Sequence, residues 1–175
     1  MTRLVLCRHT REGDAEEAAV LAAALADTEL TAIYTSPHAR ARDTAVAVAA
    51  GHGLDPVVVD DLREIDRGDV EGAAFDDYPE ELQRALLVAP LRTRFPAGET
   101  YDELRTRVVA ALDGIVASHD DGTIAVVSHA GPIRAAFAAW LHIEGTAFFR
   151  IDQRLGAMNV VDWVDGVPLV RLVNG

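Results

Sequence analysis

Short, unbroken apolar runs alternate along the chain with longer stretches in which apolar residues recur every three or four positions. Leu4 to Cys7 is apolar throughout, the pattern of a strand covered on both faces. Asp14 to Asp27 is rich in Ala, Leu and Glu, with Asp14 and Glu17 spaced as a capping pair, and predicts a helix. Thr31 to Thr35 reads as a second strand. Ser36-Pro37 then predicts an N-cap with proline in the first turn of a helix ending near Ala50. Gly51 and Gly53 stop that helix, and Val57 to Val59 reads as a third strand. The stretch from Asp60 to Gly98 has weaker periodicity and more turn residues, and predicts a helical excursion over one sheet edge.

Regularity returns at Thr100 and Glu103, which form a capping box ahead of a helix lined by Leu104, Val108, Ala111, Leu112 and Ile115. Thr123 to Ser128 is a further buried strand, running into His129-Ala130-Gly131. Pro132 opens a helix to about His142, with Ile133, Phe137, Trp140 and Leu141 turned inward. From Phe148 to Val173 the pattern alternates and breaks at Asp165-Gly166, a hairpin turn signal. Strands separated by helices imply βαβ units, hence an α/β fold with a mainly parallel sheet, helices on both faces and a C-terminal antiparallel hairpin. The expectation is one domain over residues 1–175.

Charge narrows the range of functions. Acidic residues outnumber basic ones 28 to 16, a formal net charge of −12, which argues against nucleic-acid partners and anionic membranes. No apolar run is long enough to span a bilayer, and the apolar stretch at Leu4–Cys7 is too short for a signal peptide, so a cytoplasmic location is expected. The single cysteine excludes an internal disulfide.

In open parallel sheets, ligands bind beyond the carboxyl ends of the strands. That rule selects Arg8-His9-Thr10 after the first strand and Ser128-His129-Ala130-Gly131 after the later one. Either histidine alone is ordinary, but two at strand ends on one side of a sheet form a candidate pair. A guanidinium at Arg8 disfavours protonation of its neighbour and so keeps a nitrogen lone pair free for attack on an electrophile. Arg8 also presents a donor fork matched to phosphate oxygens. Arg40 falls in the first turn of the predicted helix, where unpaired N–H groups already favour an anion. Thr44 lies one turn on, while Arg42 and His38 read as exposed. Glu64 sits among several carboxylates, and composition alone does not single it out.

Taken in order, these segments resemble the histidine phosphatase superfamily, the phosphoglycerate mutase-like family. Arg8-His9 resembles its Arg-His-Gly signature, and the run from Ser36 through Arg40, Ala41, Thr44 and Ala45 resembles its Ser-x-x-x-Arg-Ala-x-x-Thr-Ala segment. Leu62, Glu64, Gly68, Glu71 and Gly72 resemble Leu-x-Glu-x-x-x-Gly-x-x-Glu-Gly, Pro96 to Thr100 resembles Pro-x-Gly-Glu-Ser, and Ser128-His129-Ala130-Gly131 resembles the second histidine motif. The resemblance implies a three-layer α/β/α sandwich and phosphoryl transfer through a phosphohistidine. It implies His9 as nucleophile, Arg8, Arg40 and His129 on the nonbridging oxygens, and Glu64 as proton donor to the leaving group. It implies no metal and no cofactor, because arginines and histidines supply the positive charge. The expected partner is a small phosphate ester, such as a sugar or nucleoside-type phosphate, and oligomeric state stays open.

Two departures bear on this expectation. Thr10 stands where the family has glycine, adding bulk near the phosphate and a hydroxyl that could bind it. The following loop, Arg11-Glu12-Gly13, is short and offers no asparagine to the phosphate. The alternatives are therefore a phosphate-binding relative with impaired catalysis and a mutase-type phosphotransferase. A metal hydrolase using His9, His129 and a carboxylate is disfavoured by the adjacent arginines.

Overall fold

A computed structural model describes all residues, 1–175. Six strands form one sheet: β1 (Thr2–Arg8), β2 (Leu30–Thr35), β3 (Val57–Val58), β4 (Gly122–Ser128), β5 (Met158–Val164) and β6 (Val167–Leu172), in spatial order β3-β2-β4-β1-β5-β6. The first four in that order run parallel, and β5 and β6 are antiparallel, as the pattern of the chain predicted. The turn between β5 and β6 is Asp165-Gly166, both at positive φ (51° and 80°), the geometry favoured between tightly paired strands.

Five helices accompany the sheet: α1 (Ala15–Leu25), α2 (Ala39–Ala50), α3 (Glu80–Val88), α4 (Tyr101–Ala117) and α5 (Ala130–Trp140). The two-residue period of the central strands divides the interior between two faces. Leu4, Leu6, Ile124 and Val126 point into the larger core with Leu104, Leu112, Ile133 and Phe137 of α4 and α5. Val5, Cys7, Ala125 and Val127 point into the smaller core with Leu21, Leu25, Ala45 and Val48 of α1 and α2. This is the three-layer arrangement. No helix is long and apolar enough to cross a membrane.

The capping box of α4 forms in full: the Thr100 hydroxyl accepts the Glu103 N–H at 3.0 Å while Glu103 accepts the Thr100 N–H at 2.8 Å. At α1 the box is half made. Asp14 accepts the Glu17 N–H at 3.0 Å, but the Glu17 carboxylate takes the Arg11 N–H and so braces the short loop after β1.

Other expectations need correction. Helix α2 starts at Ala39 with His38 as its N-cap, not at Ser36-Pro37, and the Ser36 hydroxyl is shared between the His38 N–H and the His129 ring. Helix α5 opens two residues before Pro132 and ends at Trp140, leaving Leu141 outside it and 49% exposed rather than inward. The excursion from Asp60 to Gly98 holds one α-helix, α3, and three short 3-10 turns.

Candidate active site

Three strands end side by side, and each delivers a side chain to the same place. His9 follows β1, Ser36 follows β2 and His129 follows β4, where it also caps α5. The start of helix α2 adds His38, its N-cap, and Arg40 from its first turn. The His9 and His129 rings lie 5.0 Å apart between centroids, and the His38 ring stands edge-on to His129 at 4.9 Å. The structure therefore brings Arg8, His9, Arg40 and His129 together. His38, expected to be exposed, is instead half-buried within the cluster. Arg42 is exposed, as expected.

The hydrogen bonds around His9 define its tautomer. Nδ1 donates to the Thr10 carbonyl at 2.7 Å, so Nε2 carries the lone pair, and Arg40 Nε–H donates to it at 3.2 Å. Burial depresses the His9 pKa to about 4, Arg40 and Arg8 push in the same direction, and the bond to Thr10 opposes them. His129 is driven below its ordinary value as well, by burial first and then by His9 and Arg40. Both rings are thus neutral near pH 7. Ser36 Oγ accepts the His38 N–H at 3.3 Å and lies 2.7 Å from His129 Nε2. The assignment that satisfies most of these groups has Ser36 donating to Nε2, leaving the proton of His129 on Nδ1.

That Nδ1 is buried and has no partner, and the same is true of Arg8 Nε. Orphaned buried donors are uncommon in folded proteins. Two of the four such atoms in this chain stand in this one cluster. Arg8 Nη1 is fixed by the Gln153 carbonyl at 2.5 Å, which orients the guanidinium while leaving Nε free.

Glu64 is held by backbone donors: Oε1 accepts the Ile65 N–H at 2.9 Å and Oε2 accepts the Gly131 N–H at 3.3 Å. Its loop is anchored by a residue the sequence analysis missed. Arg107 on α4 donates to the carbonyls of Asp61 (2.6 Å), Arg63 (3.0 Å) and Glu64 (3.1 Å), and pairs with Glu99 at 2.5 Å. Glu99 in turn accepts the Asp66 N–H at 2.9 Å. Gly68 and Gly98 pass so close that a Cβ on either would strike the other's backbone, which accounts for glycine at both positions.

The Thr10 hydroxyl is engaged by α2. Thr44 Oγ1 donates to the Arg40 carbonyl at 2.8 Å and accepts the Thr10 N–H at 3.1 Å. The Thr10 hydroxyl, 3.0 Å away, therefore donates its only proton to Thr44. The Thr10 side chain thus ties the loop to α2. The short loop itself leaves a recess of about 230 Å³ beside Arg40. No group of three or more His, Cys, Asp or Glu side chains converges in a metal-holding arrangement.

The sequence profile of the histidine phosphatase superfamily, branch 1, matches residues 10–175. The chain belongs to this superfamily. It is 36% identical over 149 residues to the bifunctional protein Rv2228c of Mycobacterium tuberculosis, covering 83% of this chain but only 41% of that protein. It is 29% identical over 171 residues to phosphoserine phosphatase 1 of Hydrogenobacter thermophilus, covering 85% and 81% of the two chains. Among solved structures, Bacillus stearothermophilus YhfR superposes with a TM-score of 0.86 at 26% identity, over 97% of this chain and 95% of that one. A phosphoserine complex of Entamoeba histolytica phosphoserine phosphatase shares the fold at 19% identity, with a TM-score of 0.88 over 100% and 98%.

Proposed function

We propose that this histidine phosphatase superfamily member hydrolyses phosphate monoesters through a phosphohistidine formed on His9. In this reading His9 Nε2 attacks phosphorus as the P–O bond to the leaving group breaks, and Glu64 in its protonated form gives its proton to the departing alkoxide. Water then attacks the phosphohistidine and loses a proton to the Glu64 carboxylate, and the P–N bond breaks to return the lone pair to Nε2. Arg40, Arg8 and His129 hold the nonbridging oxygens, supplying the charge that a loose transition state demands. Arg40 exchanges its bond to Nε2 for bonds to the anion, which uncovers the nucleophile as substrate binds.

The observation that carries the reading is the pair of orphaned donors, Arg8 Nε and His129 Nδ1, beside a neutral ring whose lone pair meets only a guanidinium. A tetrahedral anion supplies the acceptors those groups lack. The orientation of Thr10 toward Thr44 favours an active enzyme over an impaired relative, because the side chain that replaces glycine is turned away. The test is metal-free incubation with alkyl and aryl phosphate monoesters, with trapping of acid-labile phosphoenzyme. His9→Ala is expected to abolish both phosphate release and the trapped species, and Glu64→Gln to slow alkyl esters more than activated aryl esters. Release that survives His9→Ala would refute the nucleophile, and an isomerised ester in place of inorganic phosphate would mark a mutase.

A further inference from the structure

A second cavity lies outside the cluster around His9, and the chemistry proposed there does not use it. Its volume is about 460 Å³, and nine of its twelve lining residues are apolar. Phe75, Tyr78, Phe95, Tyr101 and Phe149 form a continuous aromatic wall, with successive ring centroids 5.2–6.3 Å apart. The one charged lining residue is Arg67. Its hydrogen bonds use only the backbone, N–H to Glu71 at 3.3 Å and carbonyl from Val70 at 3.2 Å. The half-buried guanidinium is left without a protein acceptor.

This cavity neighbours the recess in which Glu64 stands with His38 and Glu71: Glu71 accepts the N–H of Arg67, and Arg67 lines the aromatic cavity. A leaving group bonded to phosphorus in the cradle, with its bridging oxygen toward Glu64, has this aromatic space as its neighbour. Apolar walls penalise a serine ammonium or a polyol, whose hydrogen bonds to water they do not replace. They favour a flat or branched hydrocarbon. The unpartnered guanidinium favours an acidic group on that hydrocarbon, since a carboxylate matches its fork.

On the reading that the chain is a phosphatase, we propose that its substrates are monoesters of bulky apolar alcohols carrying a carboxylate, seated in the aromatic cavity with the acid on Arg67. The alcohol is recognised by the aromatic wall and the acid by Arg67. Small polar esters fill the phosphate cradle alone and are turned over slowly.

The test uses alkyl esters of similar leaving ability: ethyl phosphate, 2-phenylethyl phosphate, its 4-carboxyphenyl analogue, and phosphoserine. The expected kcat/KM for 2-phenylethyl phosphate exceeds that for ethyl phosphate by roughly 30-fold or more, as burial of a phenyl ring implies. The carboxylated ester is expected to be better again, by about tenfold, and Arg67→Met to remove that second increment while keeping the first. Ala74→Trp, a substitution on the exposed rim of the cavity, is expected to cut the phenylethyl-to-ethyl ratio at least about tenfold. Equal kcat/KM for all four esters, or a preference for phosphoserine, overturns the inference while leaving the phosphatase reading intact. An unchanged ratio in Ala74→Trp also overturns it. Absence of phosphate release from every ester would instead refute the phosphatase reading itself.

Discussion

Gly131→Ala separates the position of Glu64 from the stability of the fold. Gly131 lies in the first turn of α5, and its N–H donates to Glu64 Oε2 at 3.3 Å. A Cβ at this position would overlap Glu64 Oε1 and come within 3.1 Å of its Cδ. The next nearest atom, a Leu104 methyl, is at an ordinary 3.5 Å, so the carboxylate is the group that must give way. It sits at the end of a flexible side chain and can retreat by about 1 Å, a displacement that typically lowers a positioned catalytic step about 100-fold. Alanine is favoured over glycine in helices by up to about 1 kcal/mol, so thermal stability should hold or rise by a few degrees, roughly 2–4 °C at most. The expected result is a kcat on an alkyl phosphate lowered about 100-fold, a smaller loss, below about tenfold, on an aryl phosphate with a good leaving group, and an unchanged or higher Tm. In a Glu64→Gln background the substitution should add little, since both changes act on the same proton transfer. Equal losses on the two ester classes, or full alkyl activity in a folded Gly131→Ala protein, would refute the assignment of Glu64 as proton donor.

Two further outcomes follow from burial. The His9 pKa, lowered to about 4 from 6.5, makes the neutral ring the favoured form in the fold, so His9 contributes stability that is complete above about pH 6.5 and is lost as pH falls toward and through 4. NMR titration of its ring should give a midpoint near 4, and urea midpoints should fall between pH 7 and 4.5; a ring midpoint at 6.5 would contradict the buried, guanidinium-flanked site. Cys7 is fully buried and its thiol is pushed up to about 12 by desolvation alone. It should resist iodoacetamide in the native state and react only after denaturation, as intact-mass measurement would show; fast native labelling would refute its place in the smaller core.

The parts of this fold legible in the sequence are those whose determinants are local. The buried strands Thr2–Arg8 and Gly122–Ser128, the capping box at Thr100 and the hairpin at Asp165-Gly166 each depend on a few adjacent residues. Ser36 shows where such reading ends. Its spacing to Pro37 fits an N-cap, yet its hydroxyl meets His129, 93 positions away, and the helix starts later. His38 was missed as a site residue for the same reason, because the ring it meets edge-on is His129, distant in sequence at the end of another strand. Thr10 could be read as bulk or as a hydroxyl, but only the approach of Thr44 decides where it points. Arg107 carries no local mark at all: an arginine on an amphipathic helix looks solvated until the loop carbonyls of Asp61, Arg63 and Glu64 are folded over it. The aromatic cavity was hidden because Phe75, Tyr78, Phe95, Tyr101 and Phe149 come from separate turns of the irregular excursion, from α4 and from the segment after α5.

The anion site proposed for this chain of formal charge −12 is consistent with the range over which charge acts. At physiological ionic strength exposed charges beyond about 8 Å are largely screened, so surface carboxylates weigh little against groups in direct contact with a ligand. On the proposed reading those groups are the Arg8 and Arg40 guanidiniums and the N-terminal turns of α2 and α5, with the Glu64 carboxylate beside them on the leaving-group side. The histidines add no charge of their own there, because burial and the neighbouring guanidiniums both hold them neutral. On the proposed reading, the arginines that attract the phosphate add to burial in keeping the His9 lone pair unprotonated, so the nucleophile would be available at the pH where phosphate monoesters carry their full charge. A lysine at position 40 would retain the positive charge but lose the planar fork whose Nε–H meets His9 Nε2.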